Sequence, residues 1–397
     1  MVTIWAHYGP YHLARVNALE EAGFEVIGYS YAKSVPTYEF FDAQAPRHVL
    51  INNCSFDHVN AVLSWWRTFA RLWRDEPDIV LACGYERPET FAAVIYSKLK
   101  RLSPMRRPAI IMMVDNQLHD SVRRGFVERI KKLYLRFSDG FVLGGQTHID
   151  YLATLGVDPS IIRTGYNCVD NDRIATIATS IRASGPLQRF PPHFLTLGRL
   201  VPKKNLEVVL QAFASYLGNL PNDDLPWHLV IAGDGPSYAA LRALTARLGL
   251  ESYVHFTGRV DRFDDVVNYY VSCRAFILAS NQSEQWGLVV NEAMAASVPV
   301  LVSQQCGCSL QVVQEGRNGF TFDGNCVEEL TDRMLWLHIN DSRLTSMGQD
   351  SLAIISEISP QHFARNINDL YRSLEVRIGG VLLIPDQTSA KKHLPPK

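Results

Sequence analysis

The chain has 397 residues, more than the roughly 250 to 300 at which a single hydrophobic core stops growing, so its length predicts two domains. Its composition, 47% hydrophobic and 20% charged, is that of a folded globular protein and excludes a disordered, collagen-like or coiled-coil chain. The 39 basic and 40 acidic residues give a net charge of −1, so no overall field attracts nucleic acid, and no nucleic-acid partner is expected.

The seven cysteines are scattered, and no C-x-x-C pair occurs, which argues against both a disulfide framework and a zinc site. Cys306 and Cys308 lie close together but have no matching Cys or His pair, so no metal is predicted. The first residues lack the pattern of a signal peptide, and no apolar run reaches the ~18 residues of a membrane span. We therefore expect a cytoplasmic protein.

Short apolar runs alternate with amphipathic helical segments in the first half of the chain. The predicted strands are Val2–Ala6, Glu25–Tyr31, His48–Ile51, Ile79–Cys83, Ala109–Val114, Gly140–Leu143 and Ile161–Thr164. Helices are predicted between them, among others over His58–Arg74, Pro88–Arg101 and Val122–Phe137. This alternation predicts parallel strands with helices on both faces of the sheet.

Two loops that follow strands of the first half carry candidate polar groups. Gly9, in HYGPYH, would let the backbone approach a phosphate or a sugar, and His12 could donate a hydrogen bond to it, with a structural hydrogen bond as the alternative for His12. Asp115 and His119 follow the buried strand AIIMMV, and one of them could orient an acceptor hydroxyl. Helix capping by this DNQLHD segment is the alternative.

Residues 96–136 hold 11 basic and 3 acidic residues, a local excess of +8 in a nearly neutral chain. Basic residues alternate there with aromatic and aliphatic ones, and residues 65–74 show a similar mixture. Such a surface can rest on anionic lipid headgroups, which would make the protein peripheral at the inner face of a membrane. A solvated face over a core stripe is the alternative.

The pattern of strands and helices starts again after a Gly- and Pro-containing stretch at residues 184–192. The predicted strands are now His193–Leu197, His228–Ala232, Val254–Thr257, Ala275–Ala279, Pro299–Val302 and Gly319–Phe322. The fold class is therefore α/β, with two doubly wound domains. We place the domains at residues 1–185 and 193–357, a final helix at 358–377 and a tail at 378–397.

The segment GRLVPKKN follows the first strand of the second half and precedes a helix. Arg199 and Lys204 could bring a planar guanidinium and a point charge onto one pyrophosphate. The alternative is that both are solvated loop residues.

The segment SEQWGLVVNEAMAASVPV consists of a loop, a helix and a buried strand. Glu284 would lie in the loop and Glu292 in the helix, on either side of a helix start where the N–H groups of Gly287, Leu288 and Val289 suit a phosphate. The two carboxylates could accept hydrogen bonds from sugar and ribose hydroxyls, so the segment could bind a nucleotide sugar along its length. The alternative is a favourable first-turn acid and a solvated helix residue.

Two glycine-bearing turns also follow strands of the second half. We interpret Gly233 and Gly235 of AGDGP as a tight bend. For Gly258 and Arg259 of TGRV we favour contact with the base of a nucleotide.

Together these motifs resemble a known family. Arg199 and Lys204, followed by Glu284 and Glu292 with the EAMA-x-x-x-P-V continuation, resemble the donor site of family 4 glycosyltransferases, which have the GT-B fold. In the first half, GPYHLAR, LGGQTHIDYLATLG and GYNCVDN resemble a bacterial polysaccharide-associated branch. The resemblance implies two Rossmann-like domains that face each other across a cleft, with the helix from residue 360 crossing back to the first domain.

The resemblance also implies roles for particular residues. Arg199 and Lys204 would contact the diphosphate, Glu284 the sugar and Glu292 the ribose, all on the nucleotide-sugar-binding second domain, while the first domain lies on the acceptor side. Transfer would retain the anomeric configuration, without a bound metal. Many members have a histidine where this chain has Asp115.

The function that we predict is therefore that of a retaining glycosyltransferase. It would move a sugar from a UDP- or GDP-sugar, its co-substrate, to a hydroxyl of a glycan or lipid-linked acceptor, with no further cofactor. The alternatives are a nucleotide-sugar epimerase or hydrolase on the same fold, and a non-catalytic module that binds sugar nucleotides or lipids.

Overall fold

The computed structural model describes residues 1–35, 47–102, 108–117, 125–185, 189–221, 223–281 and 284–378. Within these residues the chain forms two parallel sheets, one in each half. Each sheet carries apolar clusters on its two faces, which is the arrangement expected when every strand is followed by a crossover helix.

The first sheet has seven strands in the described part, in the order β3-β2-β1-β4-β5-β6-β7. These are β1 (Val2–Trp5), β2 (Ile27–Ser30), β3 (His48–Leu50), β4 (Ile79–Cys83), β5 (Ala109–Val114), β6 (Gly140–Leu143) and β7 (Ile162–Thr164). All six residues of β5 are buried, as its unbroken run of apolar residues predicts for a strand covered on both faces.

Among the described residues, six helices follow these strands: α1 (Pro10–Glu21), α2 (Ala61–Asp75), α3 (Pro88–Lys100), α4 (Gly125–Leu135), α5 (Gln146–Thr154) and α6 (Asn171–Ser184). Their ends follow from local chemistry. The side chain of Asn60 accepts a hydrogen bond from the N–H of Leu63 at the start of α2, and Glu76 ends this helix in the left-handed conformation. Proline occupies the first position of α1 and α3, where the missing N–H costs nothing.

The second sheet has six strands in the described part, in the order β10-β9-β8-β11-β12-β13. These are β8 (His193–Leu197), β9 (His228–Ala232), β10 (Val254–Gly258), β11 (Ala275–Leu278), β12 (Val300–Ser303) and β13 (Gly319–Phe322). Its helices are α7 (Leu206–Asn219), α8 (Tyr238–Arg247), α9 (Phe263–Ser272), α10 (Leu288–Ala295), α11 (Ser309–Val312), α12 (Val327–Ile339) and α13 (Leu344–Ser356).

The last helix, α14 (Pro360–Ile378), returns to the first sheet and packs against α1, β6 and β7. Its Leu370 fills the space beside Gly140, where an added Cβ would lie 2.6 Å from the leucine side chain. The amide of Asn366 donates a hydrogen bond to the carbonyl oxygen of Thr164. The predicted crossing of the C-terminal helix back to the first domain is therefore confirmed.

The helix α6 lies between the two halves and packs against α9 and α10. Asn171, its first residue, donates hydrogen bonds to the carbonyl oxygens of Ile355 and Ile358 just before α14. A single apolar cluster, which includes Val142 and Trp286, runs from the first sheet into the second. The proposed domain limits at residues 185, 193 and 357 stay predictions.

The strand orders decide where loops from distant parts of the chain meet. β1 lies between β2 and β4, and β8 lies between β9 and β11, so each sheet reverses its winding at its first strand. In such sheets ligands bind beyond the carboxyl ends of the strands at this reversal. The loops after β8 and β11 therefore form the expected binding edge of the second sheet.

Candidate functional site

Lys204 and Glu284 are brought together at this edge, although they are 80 residues apart in the chain. Lys204 ends a short 3₁₀ turn after β8, and Glu284 follows β11. The Lys204 Nζ donates to Glu284 Oε2 over 2.7 Å, and the Ser280 hydroxyl donates to the same oxygen over 3.0 Å. The Nζ of Lys203 lies farther away, at 3.7 Å.

These contacts also set the charge of Glu284, which is 9% exposed. Burial by itself would raise the pKa of this carboxyl, but Lys204 first, and then Lys203 and Ser280, hold it below the usual value of 4.5. Glu284 is therefore ionised at neutral pH, and both of its carboxylate oxygens can accept hydrogen bonds.

Arg199 lies in the same loop as Lys204 but is exposed, and its guanidinium forms no ion pair with any described residue. The backbone around it is held by two hydrogen bonds, from the Gly198 N–H to the Ala232 carbonyl oxygen and from the Leu200 N–H to the Asp234 carbonyl oxygen. The side chain is therefore available to a ligand at the rim of the site, and its predicted contact with a diphosphate stays a prediction.

The glycines of AGDGP let the loops after β8 and β9 pack directly on each other. An added Cβ on Gly233 would lie 1.9 Å from the carbonyl oxygen of Gly198, and one on Gly235 would lie 2.5 Å from that of Leu200. Both glycines also have positive φ angles, 143° and 156°. Close approach of neighbouring backbones explains this pair better than the tight bend alone that we expected.

The segment predicted to touch a base, Gly258 and Arg259, lies at the end of β10. Gly258 has a φ of 72°, and its carbonyl oxygen accepts a hydrogen bond from the Gly233 N–H. Arg259 forms an ion pair with Asp261, with 2.8 Å between Nε and Oδ1. To bind a base, Arg259 would have to break its ion pair with Asp261 or contact both groups at once. The role of Gly258 and Arg259 in base binding stays a prediction.

The helix α10 begins where the sequence predicted. Gly287 is its N-cap with a φ of 105°, and Leu278 lies so close that an added Cβ would be 2.6 Å from its side chain. Leu288 and Val289 in the first turn are partly exposed, and their N–H groups have no partner earlier in the helix. This helix start can therefore receive an anion, next to the Lys204–Glu284 pair.

Glu292 lies one turn further along α10 and is almost fully buried. Its carboxylate accepts hydrogen bonds from two tyrosines, Tyr270 of α9 at 2.8 Å and Tyr11 of α1. Burial raises its pKa above 4.5, although both tyrosine hydroxyls favour the charged form. The Tyr11 hydroxyl thus occupies the carboxylate oxygen predicted to bind the ribose. Tyr11 lies in the first half, within GPYH, and its role was not predicted from the sequence.

The glycine and histidine of this motif bond to each other. The Gly9 N–H donates to His12 Nδ1 over 3.0 Å, so the structural hydrogen bond considered as the alternative for His12 is present. Burial lowers the pKa of His12 well below 6.5, helped by Arg15 and His7, so the ring is neutral and carries its proton on Nε2. This Nε2 can still act as a donor, and the roles of Gly9 and His12 toward a ligand stay predictions.

Asp115 follows β5 and accepts a hydrogen bond from the Asn167 amide over 2.7 Å. Burial raises its pKa above the ordinary 3.8, although His148, Asn167 and Arg15 favour the ionised form. The backbone carbonyl oxygen of Asn167 in turn accepts a hydrogen bond from the Asn291 side chain of α10. Asp115 is therefore linked to the second domain through one intermediate residue. His119 lies outside the described residues.

Trp286 docks the second domain onto the first. Its ring lies against the backbone after β6, where an added Cβ on Gly144 would be 2.8 Å from Trp286 Cε3. Its Nε1 donates to the Asn291 side chain over 2.9 Å.

The neighbouring backbone of the same loop is held from the first domain as well. The His148 Nδ1 accepts from the Gly145 N–H, which leaves Nε2 to donate to the backbone carbonyl oxygen of Gln285, over 3.0 Å. The amide of Gln117 donates to the carbonyl oxygen of Glu284 over 2.9 Å. LGGQTHID resembles a known branch of the family, but nothing in its residue pattern predicts this docking.

A cavity of about 550 Å³ lies apart from these residues, between the start of α3 and α4. Its lining includes Tyr85, Phe91, Ile130 and Lys131. Among the described residues, no group of three or more His, Cys, Asp or Glu side chains could hold a metal ion. No helix in that part of the chain is long and apolar enough to cross a membrane.

Comparison with known proteins points to one family. Residues 178–352 match the family described as "Glycosyl transferases group 1". A stretch of 163 residues is 31% identical to the GDP-mannose-dependent alpha-(1-6)-phosphatidylinositol monomannoside mannosyltransferase of Mycobacterium tuberculosis, covering 40% of this chain and 41% of that enzyme. The aligned part thus spans less than half of the length of this relative.

Solved structures match over nearly the whole chain. Anabaena HepE in complex with UDP has a TM-score of 0.70 at 17% identity, covering 94% of this chain and 98% of that one. Sucrose-phosphate synthase of Thermosynechococcus elongatus has a TM-score of 0.71 at 15% identity, covering 95% and 99%. These likenesses concern the fold, and the prediction of the GT-B arrangement is confirmed.

Proposed function

We propose that this chain, whose residues 178–352 match the group 1 glycosyltransferases, transfers a sugar from a nucleotide-diphosphate sugar to an acceptor hydroxyl with retention of configuration. One observation carries the proposal. The Lys204 Nζ lies 2.7 Å from Glu284 Oε2, beyond the ends of the neighbouring strands β8 and β11 and next to the start of α10. A cation, an ionised carboxylate and free helix N–H groups are the partners that a sugar joined to a diphosphate requires.

In this proposal the charge that develops on the leaving group determines the role of each residue. The bond between the sugar and the diphosphate breaks, and its electron pair moves to the phosphate oxygen, while the acceptor oxygen bonds to the anomeric carbon and its proton passes to the leaving phosphate. Lys204, Arg199 and the N–H of Leu288 stabilise this charge without a metal ion, while Glu284 accepts hydrogen bonds from the sugar. Preorganised donors of this kind are worth several kcal/mol, typically about 3 to 4 for one donor.

The donor is a UDP- or GDP-sugar. HepE was solved with UDP, and the mycobacterial relative is named for GDP-mannose, so both nucleotides are candidates for this chain. Glu292 would then bind the ribose after releasing Tyr11. Gly258 and Arg259 would lie at the base.

The acceptor is a hydroxyl of a glycan or of a lipid-linked molecule. Asp115, with its raised pKa, lies on the acceptor side and would orient this hydroxyl. A lipid-linked acceptor would bring the protein to the inner face of a membrane, with the basic region 96–136 as the contacting part.

Lys204→Ala tests the proposal, and Lys203→Ala is its matched control, because the two lysines are adjacent and approach the same carboxylate at 2.7 and 3.7 Å. With a panel of UDP- and GDP-sugars and glycan acceptors, Lys204→Ala should lower turnover by about 10² to 10³. Lys203→Ala should lower it by less than about tenfold.

Equal losses in both variants would contradict the assignment of Lys204. Incubation with the donor alone separates the other reactions: rapid loss of donor with a new sugar epimer or free sugar would indicate an epimerase or hydrolase. Binding of a donor without any product would indicate a non-catalytic module.

A further inference from the structure

Two helices of the first domain present rows of apolar side chains to solvent. On α4, Phe126, Ile130 and Leu133 are 75%, 53% and 59% exposed, and they recur at the i, i+4, i+7 spacing of one helix face. Leu135 is the buried residue of this helix, so its apolar row is not a core stripe.

The helix α2 carries a row of the same kind. Val62, Trp66 and Trp73 are 69%, 58% and 45% exposed, and the partly buried Phe69 continues the same face. Exposed tryptophans are the side chains that favour the boundary between membrane and water, because an apolar ring carries one polar N–H.

The two rows belong to one layer of helices. The crossovers from β3 through β6 all run in the same direction along the sheet, so their right-handed connections place α2, α3, α4 and α5 on one face. α1 and α14 pack together on the opposite face. α2 packs against α3, and Phe91 of α3 lies 6.3 Å from the Tyr134 ring of α4. The outer surface of this layer is therefore continuous from α2 to α4.

The charges on this surface are mostly positive. α2, α3 and α4 together hold eight lysines and arginines and three acidic residues, a net charge of +5 in a chain whose total is −1. The three acids are already paired within the protein: Asp75 with Arg71, Glu89 with Arg87, and Glu128 with Lys131. The exposed charged residues on the three helices are cations, namely Arg67, Arg74, Arg129, Lys132 and Arg136 at the end of α4, while the exposed acid Glu86, just before α3, lines the same cavity as Ile130.

A second copy of the chain is a poor partner for this surface. Two-fold pairing would place the same patch of each copy against the other, so cations would face cations. A bilayer that contains anionic lipid offers the opposite charge together with an apolar interior, and both are needed to match rows of aromatic and aliphatic residues flanked by arginine and lysine.

We propose that the outer face of α2, α3 and α4 docks on an anionic lipid bilayer, with the rows of Phe126 and Trp66 entering the headgroup boundary. This extends the proposed function by naming the docking surface. It does not depend on the donor chemistry, because it rests on exposure and charge in the first domain alone.

The test is co-sedimentation of the full chain with vesicles of phosphatidylcholine alone and of phosphatidylcholine with phosphatidylglycerol, without any nucleotide sugar. We expect binding to the anionic vesicles that weakens as salt is raised, and much weaker binding to the neutral ones. Ile130→Ser should lower the partition coefficient roughly tenfold by removing one inserted side chain. Arg129→Gln should lower it about fivefold at low salt.

Each variant has a matched control on the second domain. Ile339→Ser changes an isoleucine that is 69% exposed at the end of α12, and Arg247→Gln changes an exposed arginine at the end of α8. Both should bind vesicles like the wild type. The altered side chains are exposed, so all four proteins should fold, which thermal melting checks.

Three results would overturn the proposal. One is equal recovery with neutral and anionic vesicles. Another is an equal loss in the Ile130 and Ile339 variants. The third is sedimentation, without lipid, of a dimer that Ile130→Ser abolishes. Loss of glycosyl transfer with vesicle binding intact would instead count against the proposed function alone.

Discussion

The hydrogen bond from Tyr11 to Glu292 crosses from the first domain to the second and makes a sharp prediction. The Tyr11 hydroxyl occupies one carboxylate oxygen, Oε1, while Tyr270 donates to the other over 2.8 Å. If a donor ribose binds Glu292, it has to replace Tyr11. Tyr11→Phe removes only the hydroxyl and should therefore strengthen donor binding.

The magnitude follows from the charge of the acceptor. A hydrogen bond to a charged group contributes about 1.5 to 3 kcal/mol. Tyr11 regains bonds to water when it is displaced, so we take the lower end of this range. Each 1.4 kcal/mol corresponds to a tenfold change in affinity, so the dissociation constant of UDP or of a UDP-sugar should fall about tenfold in Tyr11→Phe.

Isothermal titration calorimetry measures this change, with Tyr270→Phe as the matched control. Tyr270 bonds to the same carboxylate but lies on α9 of the second domain, so its loss leaves the contact across the cleft intact. Tyr270→Phe should leave donor affinity unchanged or weaken it. A Tyr11→Phe protein that binds the donor no better than the wild type would refute the exchange of partners at Glu292.

Other predictions concern charge, pH and packing. Arg199→Ala should lower turnover by about 10² to 10³, measured at saturating donor, and a near-native rate would remove this residue from the leaving-group site. The pH dependence of urea unfolding should show opposite signs for the two carboxyls. The pKa of Glu284 is depressed, so its contribution to stability is present above 4.5 and lost as the pH falls, and Glu284→Gln should abolish that acid loss. The pKa of Glu292 is raised, so its contribution to stability is lost as the pH rises from 4.5 toward the raised value, and Glu292→Gln should abolish that loss. If either variant leaves the pH dependence of stability unchanged, the pKa shift assigned to that residue is contradicted. Gly233→Ala should destabilise the second domain by at least about 1 to 3 kcal/mol, because its Cβ would overlap the backbone of the loop after β8. An unchanged midpoint of urea unfolding would show that this loop can shift without cost.

The sequence alone determined the architecture. Alternating apolar runs and amphipathic segments predicted every strand that the described residues form, because strand and helix periodicity are local properties of the chain. Boundaries moved by a few residues: the helix expected over His58–Arg74 is a short 3₁₀ turn followed by α2 (Ala61–Asp75), since Asn60 caps the helix there. The rule that ligands bind beyond strand ends also led to Lys204 and Glu284.

What only the tertiary structure decided is which groups meet. Lys204 contacts Glu284 because β8 and β11 are neighbours in the sheet, and strand order depends on hydrogen bonds between residues about 80 positions apart. Glu292 was expected to contact a ribose, but two tyrosines from different helices donate to its buried carboxylate. No periodic pattern in the sequence predicts either contact. Each is made by single side chains whose positions are fixed by long-range packing rather than by their neighbours in the chain.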